Sequence, residues 1–349
     1  MDFPPRPGAS QARREKAEGD TAASEALPAD AGVATGEHGR MPIPAADAEP
    51  VDEELDTGID PAGGEQQPRP ARQGRRRGSA RRPSRRSETF RRVLWAIPWI
   101  VFAVVIVVAG GAIFALAAVG LAWAAQIEFF RMTARSRPFE AAAFLATVGM
   151  IAAAFFGGSF QILLALVAMF PVMLIFALLR PALTNVTWSM AVTVLAAAWI
   201  GLPFAHAVLL RELPLHGGAL LVDVLVATFF TDTFAYLGGR MFGQRQLAPQ
   251  VSPNKTIEGL LIGVLGGILG FWIAGLYQDW LSGPQALLFG FCIALLAPLG
   301  DLFESAIKRD LDVKDTGRML GPHGGLLDRL DAVLFTIVAG YYLALAIVY

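Results

Sequence analysis

Long apolar runs fill the chain after residue 92 and have the length of membrane-spanning helices. The first run extends from Val93 to about Phe130, which is too long for a single span of about 20 residues, and Gly110-Gly111 offers a turn within it. We therefore divide this run into two helices. Further runs occur at about residues 140–157, 159–179, 186–206, 218–237, 258–277, 284–299 and 332–348. The pattern predicts an all-α fold, a polytopic integral membrane protein with about nine transmembrane helices.

The composition supports this class of protein. Hydrophobic residues make up 54% of the chain, and the mean hydropathy is +0.49. The formal net charge of −1 averages an acidic first segment, a basic second segment and a nearly uncharged remainder, so it indicates no class of partner. The single cysteine, Cys292, lies in an apolar run, which excludes a disulfide within the chain.

The residues before the first apolar run form two segments of different charge. Residues 1–68 are rich in Ala, Pro, Gly, Asp and Glu and poor in aromatic and β-branched residues, which predicts a disordered tail. Residues 69–92 are rich in arginine. A nucleic-acid-binding arm would need aromatic side chains that stack on bases, and the segment has only Phe90. We therefore predict a juxtamembrane polybasic segment that contacts anionic lipid, no nucleic-acid partner, and a transmembrane domain over residues 93–349.

The cations between the predicted spans indicate the topology, because cytoplasmic loops of membrane proteins carry an excess of Lys and Arg. With a cytoplasmic N-terminus, the opposite side of the membrane keeps one arginine, Arg211. The cytoplasmic connections then carry the other cations, which are Arg131, Arg135, Arg137, Arg180, Arg240, Arg245, Lys255 and those within residues 301–331. The sequence predicts a multi-pass protein of the plasma membrane whose N-terminus and polar loops are cytoplasmic and whose C-terminus is outside.

A first group of polar residues lies between Asp223 and Gly259. Asp232 falls within an apolar helix, where a carboxylate costs roughly 2.5 to 3.5 kcal/mol and needs a cation, a metal ion or a water-filled cavity. Its place near the cytoplasmic end of the helix, with Arg240 two turns later, favours a functional role. Asp223 lies deeper or nearer the far side, and its position supports a functional and a structural role equally.

The same group ends in a short segment that suits phosphate. Ser252, Lys255 and Thr256 provide hydroxyls and an ammonium at a turn that opens the next helix, where free backbone N–H groups also attract anions. Such a segment is equally a common way to begin a helix. Phosphate binding is therefore one of two interpretations of these residues.

A second group, from Asp301 to Asp331, mixes carboxylates and cations between two apolar runs. In a helix that leaves the membrane, Asp301, Ser305 and Lys308 share one face. Asp328 and Asp331 lie one helical turn apart and point the same way, and two such carboxylates repel one another unless a cation lies between them. Mg²⁺ or another divalent cation is the natural candidate, because it binds a few carboxylates together with substrate phosphates.

A glycine-rich bend at residues 321–325 interrupts this second group and can close around a ligand. It contains His323, which could act as a general base. An ionised phosphate needs no strong base, so we expect His323 to position a substrate instead. The alternative for the whole group is a solvated charged turn, which leaves the carboxylates at membrane depth on both flanks unexplained.

Two motifs run through these groups and resemble the signature of the phosphatidate cytidylyltransferases, also called CDP-diacylglycerol synthases. The downstream motif consists of Ser305, Lys308, Arg309, Lys314, Asp315, Gly317, Leu320, Gly321, and residues 323–326 and 328–331. The upstream motif consists of Asp232, Thr233, Ala235, Tyr236, Gly239, Arg240, Gly243, Ser252, Pro253, Lys255, Thr256, Glu258 and Gly259. Asn254 stands where the family commonly has lysine, which weakens one phosphate contact. The resemblance covers residues 93–349.

The resemblance implies that CTP reacts with phosphatidic acid to give CDP-diacylglycerol and pyrophosphate, with Mg²⁺ or another divalent cation as cofactor. It implies a metal site made of Asp232, Asp301, Asp328 and Asp331. The implied catalytic residues are Asp301, Lys308, Asp328 and Asp331. The implied substrate-binding residues are Arg240, Ser252, Lys255, Thr256, Ser305, Arg309, Lys314, His323 and Arg329.

Two other functions remain open. A related cytidylyltransferase would use the same motifs on another lipid phosphate, such as an ether-linked one. A transporter of an anionic solute would hold its ionisable residues near the membrane midplane, whereas here they collect at one face. The expected partners are CTP, phosphatidic acid and the lipid bilayer, and the sequence leaves open whether the protein forms a homodimer.

Overall fold

The computed structural model describes residue 98, residues 101–317, residue 319 and residues 324–349. The tail and the polybasic segment predicted before residue 93 lie outside these residues, as does His323. The described chain is mostly helical, which confirms the all-α prediction, and the sheet found in it has two short strands.

Ten helices follow one another in the described chain, with the longest connections after α7 and after α9. They are α1 (101–109), α2 (Gly111–Met132), α3 (Glu140–Phe156), α4 (Ser159–Leu178), α5 (Val186–Ala196), α6 (Leu202–Arg211), α7 (Gly217–Phe242), α8 (Ile257–Gly275), α9 (Gly283–Asp310) and α10 (Leu327–Ile347). A short 3₁₀ turn, Ala134–Ser136, follows α2. A π-helical turn, Ala197–Gly201, joins α5 to α6 without a break. Strands β1 (Gln246–Ala248) and β2 (Ser252–Thr256) form an antiparallel hairpin between α7 and α8.

Within the described residues, seven helical segments are long and apolar enough to cross a membrane. They are α2, α4, the continuous pair α5 and α6, α7, α8, α9 and α10. The chain is therefore a multi-pass membrane protein, as predicted. The count of about nine spans stays a prediction, because the described part of α1 and the whole of α3 are shorter than a typical span.

A buried core lies where the N-terminal helices pack on the C-terminal ones. Phe129 of α2, Met150 of α3, Leu210 of α6 and Leu221 of α7 are almost completely buried in it. Many outward-facing side chains, including Leu116, are apolar and exposed, as expected for helices that contact lipid.

The turn predicted at Gly110-Gly111 is present. Both glycines have positive φ angles, 59° and 53°, which residues with a side chain rarely adopt. Arg211 fixes this turn from α6, because its Nε donates a hydrogen bond of 2.6 Å to the carbonyl oxygen of Val107. Glu212 accepts a 2.9 Å hydrogen bond from the backbone N–H of Gly111. Arg211, which the sequence predicts on the outer side, therefore stabilises the turn between α1 and α2.

Glycines on α8 let α7 approach closely. A Cβ atom on Gly263 would lie 2.9 Å from the carbonyl oxygen of Thr231, and one on Gly267 would lie 2.6 Å from the Cβ of Ala294 on α9. The backbones therefore meet at positions where no side chain fits. Small residues at close intervals along a membrane helix allow this kind of approach.

The hairpin between α7 and α8 is fastened to both neighbouring helices. The carboxylate of Glu258, in the first turn of α8, accepts hydrogen bonds of 3.0 and 3.2 Å from the backbone N–H groups of Gln244 and Arg245. Thr256 caps α8, since its hydroxyl accepts a 3.1 Å hydrogen bond from the N–H of Gly259. These contacts set the place of β2, which carries Lys255.

Asp223 lies at the end of α7 that is far from the hairpin. It is fully buried, and its Oδ2 accepts a 2.6 Å hydrogen bond from the side-chain amide of Gln278, in the connection between α8 and α9. This contact ties α7 to that connection. The sequence leaves a functional and a structural role open for Asp223, and its hydrogen bond with Gln278 supports the structural role.

Candidate active site

A cavity of about 520 Å³ opens among the ends of α7, α8 and α9 and the hairpin. Its charged lining pairs two carboxylates, Asp232 and Asp301, with two cations, Arg240 and Lys255. The rest of the lining is Ala235, Tyr236, Gly239, Leu247, Asn254, Thr256, Gly259, Leu260 and Pro298. The cavity thus places Asp301, from the second polar group of the sequence, beside residues of the first polar group.

Lys255 and Asp301 form an ion pair at the wall of the cavity. Nζ of Lys255 lies 2.7 Å from Oδ2 of Asp301, and the two side chains are 24% and 35% exposed. The hydroxyl of Ser305 donates a 3.2 Å hydrogen bond to the other oxygen, Oδ1. An ion pair this accessible stabilises a fold by only about 0–1 kcal/mol, so a phosphate or a cation can exchange with either partner at little cost.

Asp232 completes a group of carboxylates contributed by three helices. It interacts repulsively with Asp331 of α10 and Asp301 of α9, and attractively with Lys255. Asp331 also interacts repulsively with Asp301. Asp331 also interacts attractively with Lys308. Carboxylates gathered from three helices favour the binding of a cation between them.

The donor set of this group suits a divalent cation. Among the residues that the structure describes, no three His, Cys, Asp or Glu side chains are arranged to hold a metal ion by themselves. Mg²⁺ commonly binds protein through one or two carboxylates and completes its octahedron with water and substrate phosphates. The oxygens of Asp232, Asp301 and Asp331 therefore fit such an ion with a phosphate bound, and the metal itself stays a prediction.

A second set of ionic contacts lies behind the cavity and centres on Lys308. Its Nζ lies 3.2 Å from Oε2 of Glu304 and 3.0 Å from Oδ1 of Asp328. Glu304 is almost fully buried and shares a hydrogen bond with the carboxyl group of Asp331. Lys308 thus connects α9 to the start of α10.

Asp328 holds the connection between α9 and α10 in place. Its carboxylate accepts hydrogen bonds of 3.1 Å from the N–H of Thr316 and 2.8 Å from the N–H of Gly325. Asp331, one turn later, lies near Asp301 and Asp232 of the cavity. Both aspartates interact with Lys308 and Glu304, and Asp328 in addition binds the backbone of the connection.

The other predicted substrate-binding residues that the structure describes do not line the cavity. Nε of Arg309 donates a 3.2 Å hydrogen bond to the carbonyl oxygen of Val251, which ties the hairpin tip to α9. Ser252 begins β2. Lys314 and Arg329 are exposed, on the connection after α9 and in the first turn of α10.

Three residues of the site region have contacts for which the sequence predicted no role. Tyr236 lines the cavity, and its hydroxyl lies 3.5 Å from Nη1 of Arg240. Glu304 lies four residues before Lys308, a spacing that could have indicated their ion pair. Glu128 is a carboxylate inside an apolar run, and the cost of burying it could have marked it as well.

Comparison with known proteins places most of the chain in one family. Residues 90–347 match the model of the cytidylyltransferase family. The uncharacterized protein YnbB of Escherichia coli (strain K12) is 45% identical over 150 residues, which are 41% of this chain and 50% of YnbB.

Two relatives carry the name phosphatidate cytidylyltransferase. The one from Bacillus subtilis (strain 168) is 38% identical over 153 residues, which are 43% of this chain and 56% of the relative. The one from Mycobacterium leprae (strain TN) is 37% identical over 165 residues, which are 47% of this chain and 53% of the relative. The chain thus spans about half the length of the curated relatives that it matches.

Proposed function

The chain belongs to the cytidylyltransferase family, and we propose that it transfers a cytidylyl group from CTP to phosphatidic acid, forming CDP-diacylglycerol and pyrophosphate. Relatives named phosphatidate cytidylyltransferase, at 37% and 38% identity, support this choice of substrates. The observation that carries the proposal is the cavity in which Arg240 and Lys255 face Asp232 and Asp301.

This arrangement suits a reaction between two phosphates. Triphosphate and lipid phosphate both bring negative charge, which the guanidinium of Arg240 and the ammonium of Lys255 can bind. The hydroxyl of Thr256 lines the same wall and can hydrogen-bond to a phosphate oxygen. Apolar lining residues such as Leu260 and Pro298 continue the cavity towards the membrane-spanning part of the helices.

In the proposed reaction, a non-bridging oxygen of the phosphatidic acid phosphate attacks the α-phosphorus of CTP. A new P–O bond forms, the bond between the α-phosphorus and the bridging oxygen to the β-phosphorus breaks, and its electron pair leaves with pyrophosphate. The attacking phosphate monoester is ionised near neutral pH, so no side chain has to remove a proton from it. The task of the protein is to align the two phosphates and to neutralise their charge.

We propose Mg²⁺ or another divalent cation as the cofactor, held by Asp232, Asp301 and Asp331 together with phosphate oxygens. When bound, it would neutralise charge on the transferred group and on the departing pyrophosphate. Asp328, which the family resemblance places in the same site, would act through Lys308 and through the backbone of the connection that it holds.

We place this site at the cytoplasmic face of the plasma membrane. The connections on its side carry Arg131, Arg135, Arg137, Arg180 and Arg245, which supports that orientation. Removing a diacyl lipid from the bilayer costs about 0.8 kcal/mol for each CH₂ group exposed to water, so phosphatidic acid has to reach the cavity from the membrane.

Pyrophosphate release by the purified full-length protein tests the proposal. In mixed micelles, we expect turnover that requires phosphatidic acid, CTP and Mg²⁺ together and stops when a chelator is added. Asp301→Asn should lower the rate by about two orders of magnitude or more, as expected when an electrostatic stabiliser is lost. Asp223→Asn is the matched control, since it changes a buried carboxylate at the far end of α7 and should keep the rate.

The lipid product should be identified by mass spectrometry, because this step separates phosphatidic acid from another lipid phosphate as the substrate. Absence of turnover in a folded sample would contradict the enzyme proposal. Equal losses of rate in Asp301→Asn and Asp223→Asn would contradict the placement of the site.

A further inference from the structure

A carboxylate from the N-terminal half of the chain reaches the connection between α9 and α10. Glu128 lies near the end of α2 and is fully buried. Its Oε2 accepts a 2.9 Å hydrogen bond from the backbone N–H of Leu327 and a 3.3 Å hydrogen bond from the hydroxyl of Thr316. One oxygen atom from the other half of the chain therefore binds both Thr316, within this connection, and Leu327, where α10 begins.

The contact with Leu327 makes Glu128 a cap for α10. Leu327 is the first residue of that helix, and the preceding residue, Leu326, provides no side-chain hydrogen bond to it. The first N–H groups of a helix lack partners within the helix, and a negative charge beside them is stabilising. Glu128 provides such an acceptor, so the start of α10 depends on a side chain of α2.

The backbone around the carboxylate is shaped to admit it. A Cβ atom on Gly317 would lie 2.5 Å from Oε1 of Glu128, and one on Gly325 would lie 2.6 Å from Oε2. Glycine is therefore needed on both sides of the carboxylate, because any larger residue would push the connection away from α2. The second oxygen, Oε1, is buried with no hydrogen-bond partner among the described residues. The protein keeps an ionisable group here despite that cost, which points to a specific role.

Thr316 links Glu128 to the site. Its hydroxyl donates to Glu128, while its backbone N–H donates to Asp328, which also forms an ion pair with Lys308. Capping of α10 by Glu128 also fixes the helix that presents Asp331 to the cavity carboxylates. A shift of the Glu128 side chain would therefore displace both Asp328 and Asp331.

We propose that Glu128 is a positioning residue for the reaction: it holds Thr316 and caps α10, and it thereby sets Asp328 and Asp331 in their working places. The role rests on the proposed cytidylyltransferase activity and adds to it a residue outside both sequence motifs. Its chemical basis is the acceptor oxygen, since Oε2 of Glu128 accepts from a hydroxyl and from a backbone N–H.

Three variants of the full-length protein test this role. Glu128→Leu introduces an apolar side chain of similar size and removes the acceptor. Glu128→Gln keeps a carbonyl oxygen that can accept both hydrogen bonds. Gln126→Leu is the matched control. Gln126 is also fully buried on α2, but its amide donates to Thr147 and to the carbonyl oxygen of Ala196, not to the connection before α10.

Two measurements are made on each variant: steady-state pyrophosphate release, and hydrogen exchange of the backbone at residues 311–317 and 324–330. We expect Glu128→Leu to lower kcat by about tenfold to a hundredfold, because small misplacements of catalytic groups have effects of this size. The same variant should lose exchange protection in both segments. Glu128→Gln should keep kcat within about threefold of the wild type, and Gln126→Leu should keep both the rate per folded molecule and the protection.

The outcomes separate positioning from general stability. Wild-type kcat in Glu128→Leu would overturn the proposal, as would a lower kcat with unchanged exchange protection. Equal losses in Glu128→Leu and Gln126→Leu would also overturn it, because they would reflect a weakened bundle. If the wild type itself releases no pyrophosphate, the proposed activity fails, while the exchange data still decide whether Glu128 anchors this connection.

Discussion

The ammonium of Lys255 on β2 lies 2.7 Å from the carboxylate of Asp301 on α9. The two residues come from the two polar groups of the sequence, and their contact is where those groups meet at the cavity. Both side chains are partly exposed, so the pair is open to a ligand rather than locked in the core. Lys255 can therefore bind a phosphate and Asp301 a cation in place of their ion pair, with little loss of folding stability.

Replacing the ammonium of Lys255 should impair the reaction and leave the fold intact. We expect Lys255→Gln to lower kcat/KM for CTP by roughly a hundredfold, because a charged contact to the triphosphate is lost. The apparent Tm should change little, since the ion pair contributes about 0–1 kcal/mol. Arg245→Gln is the control, as it removes an exposed cation from the same hairpin outside the cavity lining. Equal kcat/KM values in the two variants would argue against a role for Lys255 in phosphate binding.

Much of the architecture could be predicted from the sequence because membrane-spanning helices leave a long apolar signal. The turn at Gly110 and the close packing at Gly263 were predictable for a related reason, since glycine marks positions where the backbone bends or where helices touch. The grouping of Asp232 with Asp301 was expected from the family resemblance, and the cavity contains both residues.

The finer arrangement of the site depends on contacts between distant parts of the chain, which periodicity does not reveal. The hairpin was expected as a turn that opens a helix, because its strands are too short to show an alternating pattern. Helical spacing put Asp328 and Asp331 on one face, but it could not show that Asp328 also binds the backbone N–H groups of Thr316 and Gly325. Glu128 escaped notice because its partners lie 188 and 199 residues further along the chain.

The hairpin should depend on Glu258, whose carboxylate binds the backbone N–H groups of Gln244 and Arg245. Glu258→Ala removes both contacts, so we expect Lys255 to lose its fixed place and kcat/KM for CTP to fall by about tenfold. Glu258→Gln keeps an acceptor oxygen and should retain most of the activity. Steady-state kinetics of the two variants provide the comparison. A Glu258→Ala protein with wild-type kinetics would show that the hairpin holds Lys255 without this carboxylate.

Close packing of α8 should make Gly267 sensitive to the smallest enlargement. A Cβ atom there would lie 2.6 Å from the Cβ of Ala294, so Gly267→Ala should destabilise the protein by about 1–3 kcal/mol. Gly120→Ala is the control, because nothing lies within 4 Å of its new Cβ and alanine favours the helix by about 0.5–1 kcal/mol. The apparent Tm in detergent should fall for the first variant and hold or rise for the second. If Gly267→Ala melts at the wild-type temperature, then the helices packed against Gly267 can move apart far enough to admit a methyl group.

The proposed orientation can be read from cysteines introduced on the two sides of the membrane. The background is Cys292→Ala, which removes the single natural thiol. Leu215→Cys changes a residue that is 94% exposed in the connection between α6 and α7, and Gln250→Cys changes an exposed residue at the hairpin tip. In intact cells, a membrane-impermeant maleimide should label Leu215→Cys and leave Gln250→Cys unlabelled, because the cation-rich side faces the cytoplasm. After permeabilisation both variants should react, which controls for the accessibility of each thiol. Labelling of Gln250→Cys alone in intact cells would reverse the orientation and would place the site on the side of the membrane away from cytoplasmic CTP.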